Sequence, residues 1–423
     1  MRLLAVGDIH LGRTPSRLSD AVKERFRPRE LGPSEAWKRA VECALTKKVD
    51  AVLLAGDVVE DKDDFFEAFR DLSAGVKQLI DAGILVVGVS GNHDVSVLPR
   101  LAASLEGFRL LGGQGVWEAV ELGTVHGTRV LVLGWSFPSE RVEDSPLVSL
   151  PVRRGADRVI GLLHCDRDQS RSHYAPVRSS ELEAAPVDAW LLGHIHKPDD
   201  LTGKRPMAYL GSLTGMDPGE PGPHGPWIVE IEPNGISATQ IPLAPLRWET
   251  VDVDVTHIDD PDDLPPRILE ALDALHAKVD AHEHQPKALG CRLRLTGRSA
   301  HRQAFEEKLS HDDPRSWDIR KGALCCFVHD VQLSVEPRLA LTEMAKACDP
   351  VGLLARRVLA LRSPDSEDGH RLVAKARERF KEVQARPSFR ARGLPDEQAI
   401  RARLESAALV AIDRLLRQRE GSS

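Results

Sequence analysis

The first half of the chain alternates short apolar runs with segments whose apolar residues recur at helical spacing. The first three runs are rich in Val, Ile and Leu and end at a glycine or serine followed by polar residues, which is typical of strands that enter loops. With more strands than helices, the pattern predicts an α/β fold of two packed sheets flanked by helices. The predicted strands are residues 3–7, 51–55, 84–90, 130–133, 159–163, 189–192, 208–210 and 227–232, and the predicted helices are 35–48 and 64–81.

A proline-rich passage at residues 241–246 indicates a domain boundary, because prolines punctuate regular structure. The pattern after residue 337 is helical, with interruptions at 363–369 and 387–395. We therefore predict three domains: residues 1–246, a small α/β domain at 247–336, and a helical region at 337–423. The predicted elements of the small domain are strands at 249–255, 291–296 and 324–335 and helices at 264–279 and 302–309.

The final predicted helix, residues 396–417, carries an apolar stripe along one face. Such a stripe packs either against helices of the same chain or against a partner. The position of this helix after a loose linker favours partner docking. The stripe consists of Ile400, Leu404, Ala408, Ala411 and Leu415.

The composition is that of a globular protein, with 42% hydrophobic and 29% charged residues in 423. The opening apolar run breaks at Asp8, which is too early for a signal peptide, and no run is long enough to span a membrane. The six cysteines form no CxxC pair, so we expect a reducing, cytoplasmic setting. Cys325 and Cys326 lie in an apolar run and are interpreted as core thiols.

The net charge of −7 argues at first against a nucleic-acid partner. The charge is uneven, however: residues 351–423 contain 16 basic and 10 acidic side chains, so the preceding residues carry a net −13. A cluster of metal-binding carboxylates would fit the acidic part. The basic tail could bind nucleic acid or an acidic partner. Solvated helix faces explain the excess of basic residues in the tail equally well.

Five polar clusters follow predicted strands, where α/β proteins usually assemble their sites. Each cluster alone has an ordinary structural explanation, but three Asp, one Asn and five His at strand ends of one domain are hard to obtain from packing alone. Imidazole suits borderline cations, and a carboxylate can bridge two of them. In an Asp-x-His or His-x-His pair both side chains leave a strand end on the same side. The clusters are Gly7-Asp8-Ile9-His10, Gly56-Asp57, Gly91-Asn92-His93-Asp94, His164 and Gly193-His194-Ile195-His196.

The order of these motifs resembles that of the calcineurin-like metallophosphoesterases. The first motif, extended to Asp8-Ile-His-Leu-Gly12, resembles the DNA repair nucleases of the SbcD type, which include the nuclease subunit of the bacterial SbcCD complex. Three later stretches agree with those nucleases: residues 190–197, the Tyr-Leu-Gly-Ser turn at 209–212, and the exit at 242–248 into a capping domain. The resemblance covers roughly residues 1–255, and beyond them it rests on domain order.

The resemblance implies a site with two divalent metal ions, which are Mn in this family, that hydrolyses phosphodiester bonds. It further implies that His93 faces the substrate phosphate, and we expect Asp94 to orient His93. We also name His173 and Ser212 as candidate substrate-binding residues. The implied metal ligands are Asp8, His10 and His196 for one ion and Asn92, His164 and His194 for the other, with Asp57 as the bridge.

Glu60 marks a departure, because archaeal and eukaryotic members have a second catalytic histidine at that position. The bacterial branch commonly has an acidic residue there, so Glu60 indicates the bacterial type; a surface residue that opens the acidic run 60–64 is an equal alternative. Cys165 should be a core residue, since neighbours on a strand point to opposite faces. The histidines interpreted as structural or exposed are His126, His224, His257, His311 and His329.

The leading hypothesis is therefore a Mn-dependent DNA exonuclease or endonuclease that works in DNA end processing with an SMC-like coiled-coil ABC ATPase. A second copy of the chain is a further candidate partner, and we expect no membrane to be involved. A small-substrate phosphodiesterase of the same superfamily would share every ligand, although the long C-terminal half speaks against it. A protein phosphatase fits less well, because Asp61-Lys-Asp63 and Asp94 depart from its motifs. A non-catalytic DNA-end-binding subunit is the alternative of a different class.

Overall fold

The computed structural model describes residues 1–60, 65–151, 158–201, 203, 205–280, 283–317, 319–321, 324–384 and 395–420. The expectations for residues 61–63 and for the interruption at 387–394 lie outside the described residues. The chain divides into two compact units. The first contains Met1–Thr250, Ala274–Arg292 and Arg315–Asp330, and the second contains Val251–Asp273, Leu293–Pro314 and Val331–Ser423. The predicted three-domain division stays a prediction.

The part of the chain up to residue 240 forms the elements that position the candidate site. Its strands are β1 (Arg2–Val6), β2 (Ala51–Ala55), β3 (Leu85–Val89), β4 (Phe108–Leu110), β5 (Glu118–Val125), β6 (Thr128–Trp135), β7 (Arg158–His164), β8 (Asp166–Arg167), β9 (Pro176–Val177), β10 (Ala189–Gly193), β11 (Met207–Tyr209), β12 (Trp227–Glu232) and β13 (Gly235–Gln240). Its helices are α1 (Asp20–Arg25), α2 (Pro33–Lys47), α3 (Phe65–Asp81), α4 (Leu98–Ser104) and α5 (Ser179–Ala184).

These strands form two sheets. The six-stranded sheet has the order β13-β12-β1-β2-β3-β4, and the five-stranded sheet has the order β11-β10-β7-β6-β5. Strands β1 to β4 run parallel, and so do β6, β7, β10 and β11. All five residues of β2 are buried, as expected of a parallel strand that is covered on both faces. The prediction of an α/β fold with two sheets is confirmed.

Alternate residues of each central strand face opposite sides, which explains how one strand serves two cores. In β2, Leu53 and Ala55 face the core between the two sheets, whereas Val52 and Leu54 pack towards the helices. The helical side includes Trp37 of α2. Across the sandwich, the five-stranded sheet contributes Val130, Val132, Ile160, Leu162 and Leu191.

The sequence pattern missed several short or edge elements. Strands β5 and β13 lie at the edges of their sheets and carry few buried side chains, so they lack an apolar run. Strand β5 is also interrupted by an irregularity between Glu121 and Gly123. Helices α1, α4 and α5 are too short to show a clear helical period.

The remaining elements include a four-stranded sheet of order β14-β15-β18-β17, with β14 at its edge. Among the described residues, no helix is long and apolar enough to cross a membrane. The strands are β14 (Leu246–Asp254), β15 (Ala288–Thr296), β16 (Arg298–Ser299), β17 (Ile319–Lys321), β18 (Leu324–Leu333) and β19 (Glu336–Pro337). The helices are α6 (Leu264–Asp280), α7 (Arg302–His311), α8 (Leu341–Met344), α9 (Pro350–Arg362), α10 (Glu367–Gln384) and α11 (Glu397–Glu420).

Helix α11 buries its apolar stripe inside the second unit. Ile400 packs in a cluster with residues of α9 and α10, and Leu409 and Ile412 pack in a second cluster with α8 and α9. Ala408 and Leu415 are partly buried against the same second cluster. The stripe thus packs at least partly against helices of the same chain, which is the first of the two predicted alternatives, and docking of a partner to this helix stays a prediction.

The cysteines behave as expected for a chain without disulfides. All six have free thiols, and five of them are buried. Cys325 and Cys326 are core residues as predicted, and Cys165 is fully buried among residues of the five-stranded sheet.

Candidate metal centre

The five polar clusters gather at one edge of the sandwich, where the parallel strands β1, β2, β3, β7 and β10 end. The carboxyl ends of parallel strands meet at the same edge of a sheet, which is why clusters far apart in sequence become neighbours. Backbone hydrogen bonds fix the loops there: the amides of Ile9 and His10 both donate to the carbonyl of Asp57 at 3.0 and 2.9 Å. The amide of His194 donates to Asp8 Oδ1 at 3.0 Å.

Three of the predicted ligands lie in strained backbone. His10, Asp57 and His194 have φ angles of 56°, 48° and 103°, a region that side chains other than glycine rarely adopt. Each such position costs on the order of 1–3 kcal/mol and persists only where the surroundings enforce it. The rest of the fold therefore stabilises this strained backbone, which sets the directions of these three side chains.

The first ligand group consists of Asp8, His10 and His196, whose ligand atoms all lie within 4.8 Å of one another. The Nδ1 atoms of both histidines face carboxylates: His10 lies 3.2 Å from Glu60 Oε2, and His196 lies 2.7 Å from Glu220 Oε1. A carboxylate only accepts hydrogen bonds, so each Nδ1 carries the proton and each Nε2 keeps a lone pair. The two Nε2 atoms face each other at 3.0 Å.

In neutral rings, the two Nε2 lone pairs repel at this distance unless a proton or a cation lies between them. Nitrogen ligands bind divalent metals at about 2.1 Å, and two such bonds at a right angle place the nitrogens about 3.0 Å apart. The spacing of the two imidazoles, together with the Asp8 carboxylate, thus fits a divalent cation of the first transition row.

The second predicted ligand group is Asn92, His164 and His194, with Asp57 as the predicted bridge to the first group. His164 Nε2 lies 3.3 Å from Asp57 Oδ2 and 3.1 Å from Asn92 Oδ1, and its Nδ1 donates to the carbonyl of Ala55 at 3.0 Å. The ring of His194 lies 5.2 Å from that of His164. Asp57 Oδ2 is also 3.9 Å from His10 Nε2, so this carboxylate stands between the two groups.

Buried charges of opposite sign shift the pKa values of the cluster. Burial opposes ionisation of Asp57, but His164 and His10 hold the pKa of this carboxyl well below its usual range. Burial would lower the pKa of His164, yet the carboxylates of Asp57 and Asp8 raise it to about 9. The carboxylates thus attract positive charge to the centre, and metal binding there would displace protons.

Glu60 belongs to the site, so the alternative that it is a surface residue is wrong. Its side chain is nearly buried and accepts hydrogen bonds from His10 Nδ1 at 3.2 Å and His93 Nδ1 at 3.0 Å. The side chain of His93 is 45% exposed, which leaves its ring accessible to a substrate. The hydrogen bond to Glu60 raises the pKa of His93.

The expected pairing of Asp94 with His93 is wrong. Asp94 is fully buried, and its two oxygens accept the backbone amides of Val58 at 2.7 Å and Gly91 at 2.8 Å. Asp94 thus connects the loop of Val58 to the loop of Gly91. The hydrogen-bond partner of His93 is Glu60.

The candidate substrate-binding residues lie in different surroundings. The side chain of His173 is 55% exposed and pairs with Glu143, whereas the ring of the neighbouring Tyr174 lies 5.2 Å from that of His194. Ser212 is buried, and its hydroxyl lies 3.2 Å from Glu220 Oε2. A substrate-binding role for either residue stays a prediction.

Two acidic residues near the ligands were missed by the sequence reasoning. Asp166 Oδ2 lies 3.7 Å from His194 Nε2, and its position two residues after His164 could have indicated the shared side. Glu220 lies in an irregular loop 24 residues after His196, and no spacing rule connects the two. Of the histidines set aside, His224 is buried and structural, and His126, His257 and His311 are exposed.

Comparison with known proteins agrees with this geometry. Residues 1–198 match the family described as calcineurin-like phosphoesterase, and residues 248–336 match the middle domain of metallophosphoesterase YhaO. An uncharacterized metallophosphoesterase YhaO of Bacillus subtilis is 25% identical over 276 residues, which are 60% of this chain and 64% of that protein.

Two archaeal relatives carry a name that refers to DNA. The DNA double-strand break repair protein Mre11 of Aeropyrum pernix is 28% identical over 274 residues, 60% of this chain and 64% of its own length. The protein of the same name from Haloferax volcanii is 26% identical over 352 residues, which are 78% of this chain and 67% of that protein. The chain thus spans just under two thirds of the first two relatives. Among solved structures, a dimetal phosphatase from Danio rerio has a TM-score of 0.34 and 14% identity over 57% of this chain and 98% of its own.

Proposed function

We propose that this chain, whose residues 1–198 match the calcineurin-like phosphoesterase family, binds two divalent cations and hydrolyses phosphodiester bonds in DNA. The observation that carries the proposal is the pair of ligand groups on either side of Asp57, with the exposed ring of His93 beside them. When bound, two such cations activate water and neutralise the charge of the phosphate oxygens.

The residues beside the metal ligands supply proton transfer and orientation. Since His93 Nδ1 donates to Glu60, its Nε2 is the nitrogen left to meet a substrate. The raised pKa of His93 increases its protonated fraction near neutral pH. A protonated ring in this position can donate to the leaving oxygen as a general acid.

DNA is the proposed substrate on two grounds. The first motif resembles that of DNA repair nucleases, and two relatives are named for the repair of DNA double-strand breaks. Mixed nitrogen and oxygen donors suit Mn²⁺, which we propose as the metal. Exonuclease and endonuclease cleavage both remain compatible with this site.

The His93→Ala variant tests the catalytic part of the proposal. We expect cleavage of labelled duplex DNA with Mn²⁺ to fall by about 10²- to 10⁴-fold, because a general acid contributes rate enhancements of that size. The bound metal should stay at the wild-type stoichiometry, since the ring of His93 holds neither ion in this assignment. The exposed His257 provides a matched control, and His257→Ala should cleave at the wild-type rate.

Equal cleavage by wild type and His93→Ala would contradict the assigned role. The substrate is tested separately with bis-p-nitrophenyl phosphate. Hydrolysis of this ester without any DNA cleavage would replace DNA with a small phosphodiester as the substrate.

We further propose that the partner is an SMC-like coiled-coil ABC ATPase. The support is the resemblance of the N-terminal motifs to nucleases that work with such enzymes. Because α11 contributes Ile400 and Ile412 to the helical clusters, deleting this helix would disturb folding and is a poor test. The tagged full chain, purified from its own cells, should carry an ABC ATPase that mass spectrometry identifies. Its absence under low-salt conditions would contradict the proposal.

A further inference from the structure

We propose that Glu220 is a positioning residue that holds the His196 imidazole towards the first cation and makes that site the tighter of the two. The inference rests on the two-metal site proposed above and assigns a role to a residue outside its ligand set. Its basis is the network around Glu220 and the contrast between the two ligand groups.

The Glu220 carboxylate is held by its own loop, independently of His196. Oε2 accepts the backbone amide of Met216 at 3.0 Å and lies 3.2 Å from the hydroxyl of Ser212. The amide of Glu220 donates to the carbonyl of Asp217 at 3.0 Å. With Oε2 fixed in this way, Oε1 is left to accept the Nδ1 proton of His196 at 2.7 Å.

A buried histidine supports the same loop from the other side. His224 Nε2 lies 3.1 Å from the carbonyl oxygen of Glu220, and His224 Nδ1 lies 3.0 Å from the hydroxyl of Ser212. Burial lowers the pKa of His224, which favours its neutral form. Ser212 therefore contacts both Glu220 and His224, and the three side chains form a preformed support behind His196.

Carboxylates support both histidines of the first group. Glu60 and Glu220 accept the Nδ1 protons of His10 and His196. In the second group, His164 donates to a neutral backbone carbonyl, and His194 Nε2 lies 3.7 Å from Asp166 Oδ2, beyond hydrogen-bond distance. A carboxylate acceptor fixes the ring and raises the basicity of the opposite nitrogen more than a neutral acceptor does. The second group also contains the neutral Asn92 where the first contains the Asp8 carboxylate, so both effects favour a tighter first site.

The test is a Mn²⁺ titration of the metal-free full chain, followed by electron paramagnetic resonance of free Mn²⁺. We expect two classes of site in the wild type. Glu220→Gln keeps the size of the side chain but removes the charge and one acceptor. It should raise the Kd of the tight class by about 10- to 100-fold, the effect typical of removing such a partner. The weaker class should stay within about twofold of its wild-type Kd.

Two further variants separate positioning from general damage. Glu183→Gln makes the same change at an exposed residue and should leave both classes unchanged. Ser212→Ala keeps the carboxylate but removes one of its neighbours, so it should weaken the tight class by less than Glu220→Gln does. If Glu220→Gln does not fold, a weaker tight class in Ser212→Ala supports the inference, and an unchanged tight class in Ser212→Ala overturns it.

An unchanged tight class in Glu220→Gln, or equal weakening of both classes, would overturn the inference. Equal weakening would mark Glu220 as a structural residue only. A wild type that binds fewer than two Mn²⁺ ions would instead refute the proposed metal centre itself, so the two failures are distinguishable.

Discussion

The Asp57→Asn variant should hydrolyse phosphodiesters at least about 10³-fold more slowly than the wild type, because in the proposed centre it loses the ligand shared by both cations. Asp57 Oδ1 accepts the amide of His93 at 2.9 Å, while Oδ2 faces His164 and, at a longer distance, His10. An asparagine that keeps the hydrogen bond to His93 turns its NH₂ group towards the cations. That group repels a cation instead of binding it.

Turnover of bis-p-nitrophenyl phosphate and elemental analysis of bound metal measure this effect together. We expect the activity and the metal content of Asp57→Asn to fall together. Asp20 is a matched control, because its side chain is 94% exposed and the change from Asp to Asn is the same. Retention of two ions and of a tenth or more of the wild-type rate by Asp57→Asn would exclude a bridging role.

The Gly193→Ala variant should lose stability and metal together. A Cβ atom at residue 193 would clash with the carbonyl oxygen of Ala55 and would lie 2.7 Å from Nδ1 of His164. These two atoms share the hydrogen bond that orients His164. Because backbone must move to relieve the clash, we expect the free energy of unfolding to fall by about 2–4 kcal/mol.

Denaturant unfolding of the metal-free protein measures the loss of stability, and a Mn²⁺ titration measures the loss of binding. Gly113→Ala is the control, since a Cβ there meets nothing within 4 Å and φ is not positive. It should unfold at the wild-type denaturant concentration. If Gly193→Ala is as stable as Gly113→Ala, the strand end tolerates a side chain. That result would contradict the close packing of residue 193 against His164.

The central strands could be predicted from sequence because burial on both faces leaves a continuous apolar run. The run at residues 51–55 coincides with β2, and all of its side chains are buried. Strands β5 and β13 gave no such run, since an edge strand covers the core with one face only. The apolar stripe of α11 was predicted from the sequence. A stripe alone does not reveal which surface covers it, and in the structure Ile400 and Ile412 pack against helices of the same chain.

The convergence of the predicted ligand residues could likewise be foreseen, because each follows a strand and the ends of parallel strands converge. The contacts that orient their side chains could not. Glu220 reaches His196 through an irregular loop, and Glu60 reaches both His10 and His93 only once β1, β2 and β3 are aligned. Proximity in sequence was misleading for Asp94, whose oxygens bind the amides of Val58 and Gly91.

Anomalous diffraction from crystals of the wild type grown with Mn²⁺ is the most direct test of the two-metal centre. We expect two peaks about 3.5–4 Å apart, one beside His10 and His196 and one beside Asn92 and His164, with the Asp57 carboxylate in contact with both. A single peak, or two peaks that do not share Asp57, would contradict the assignment.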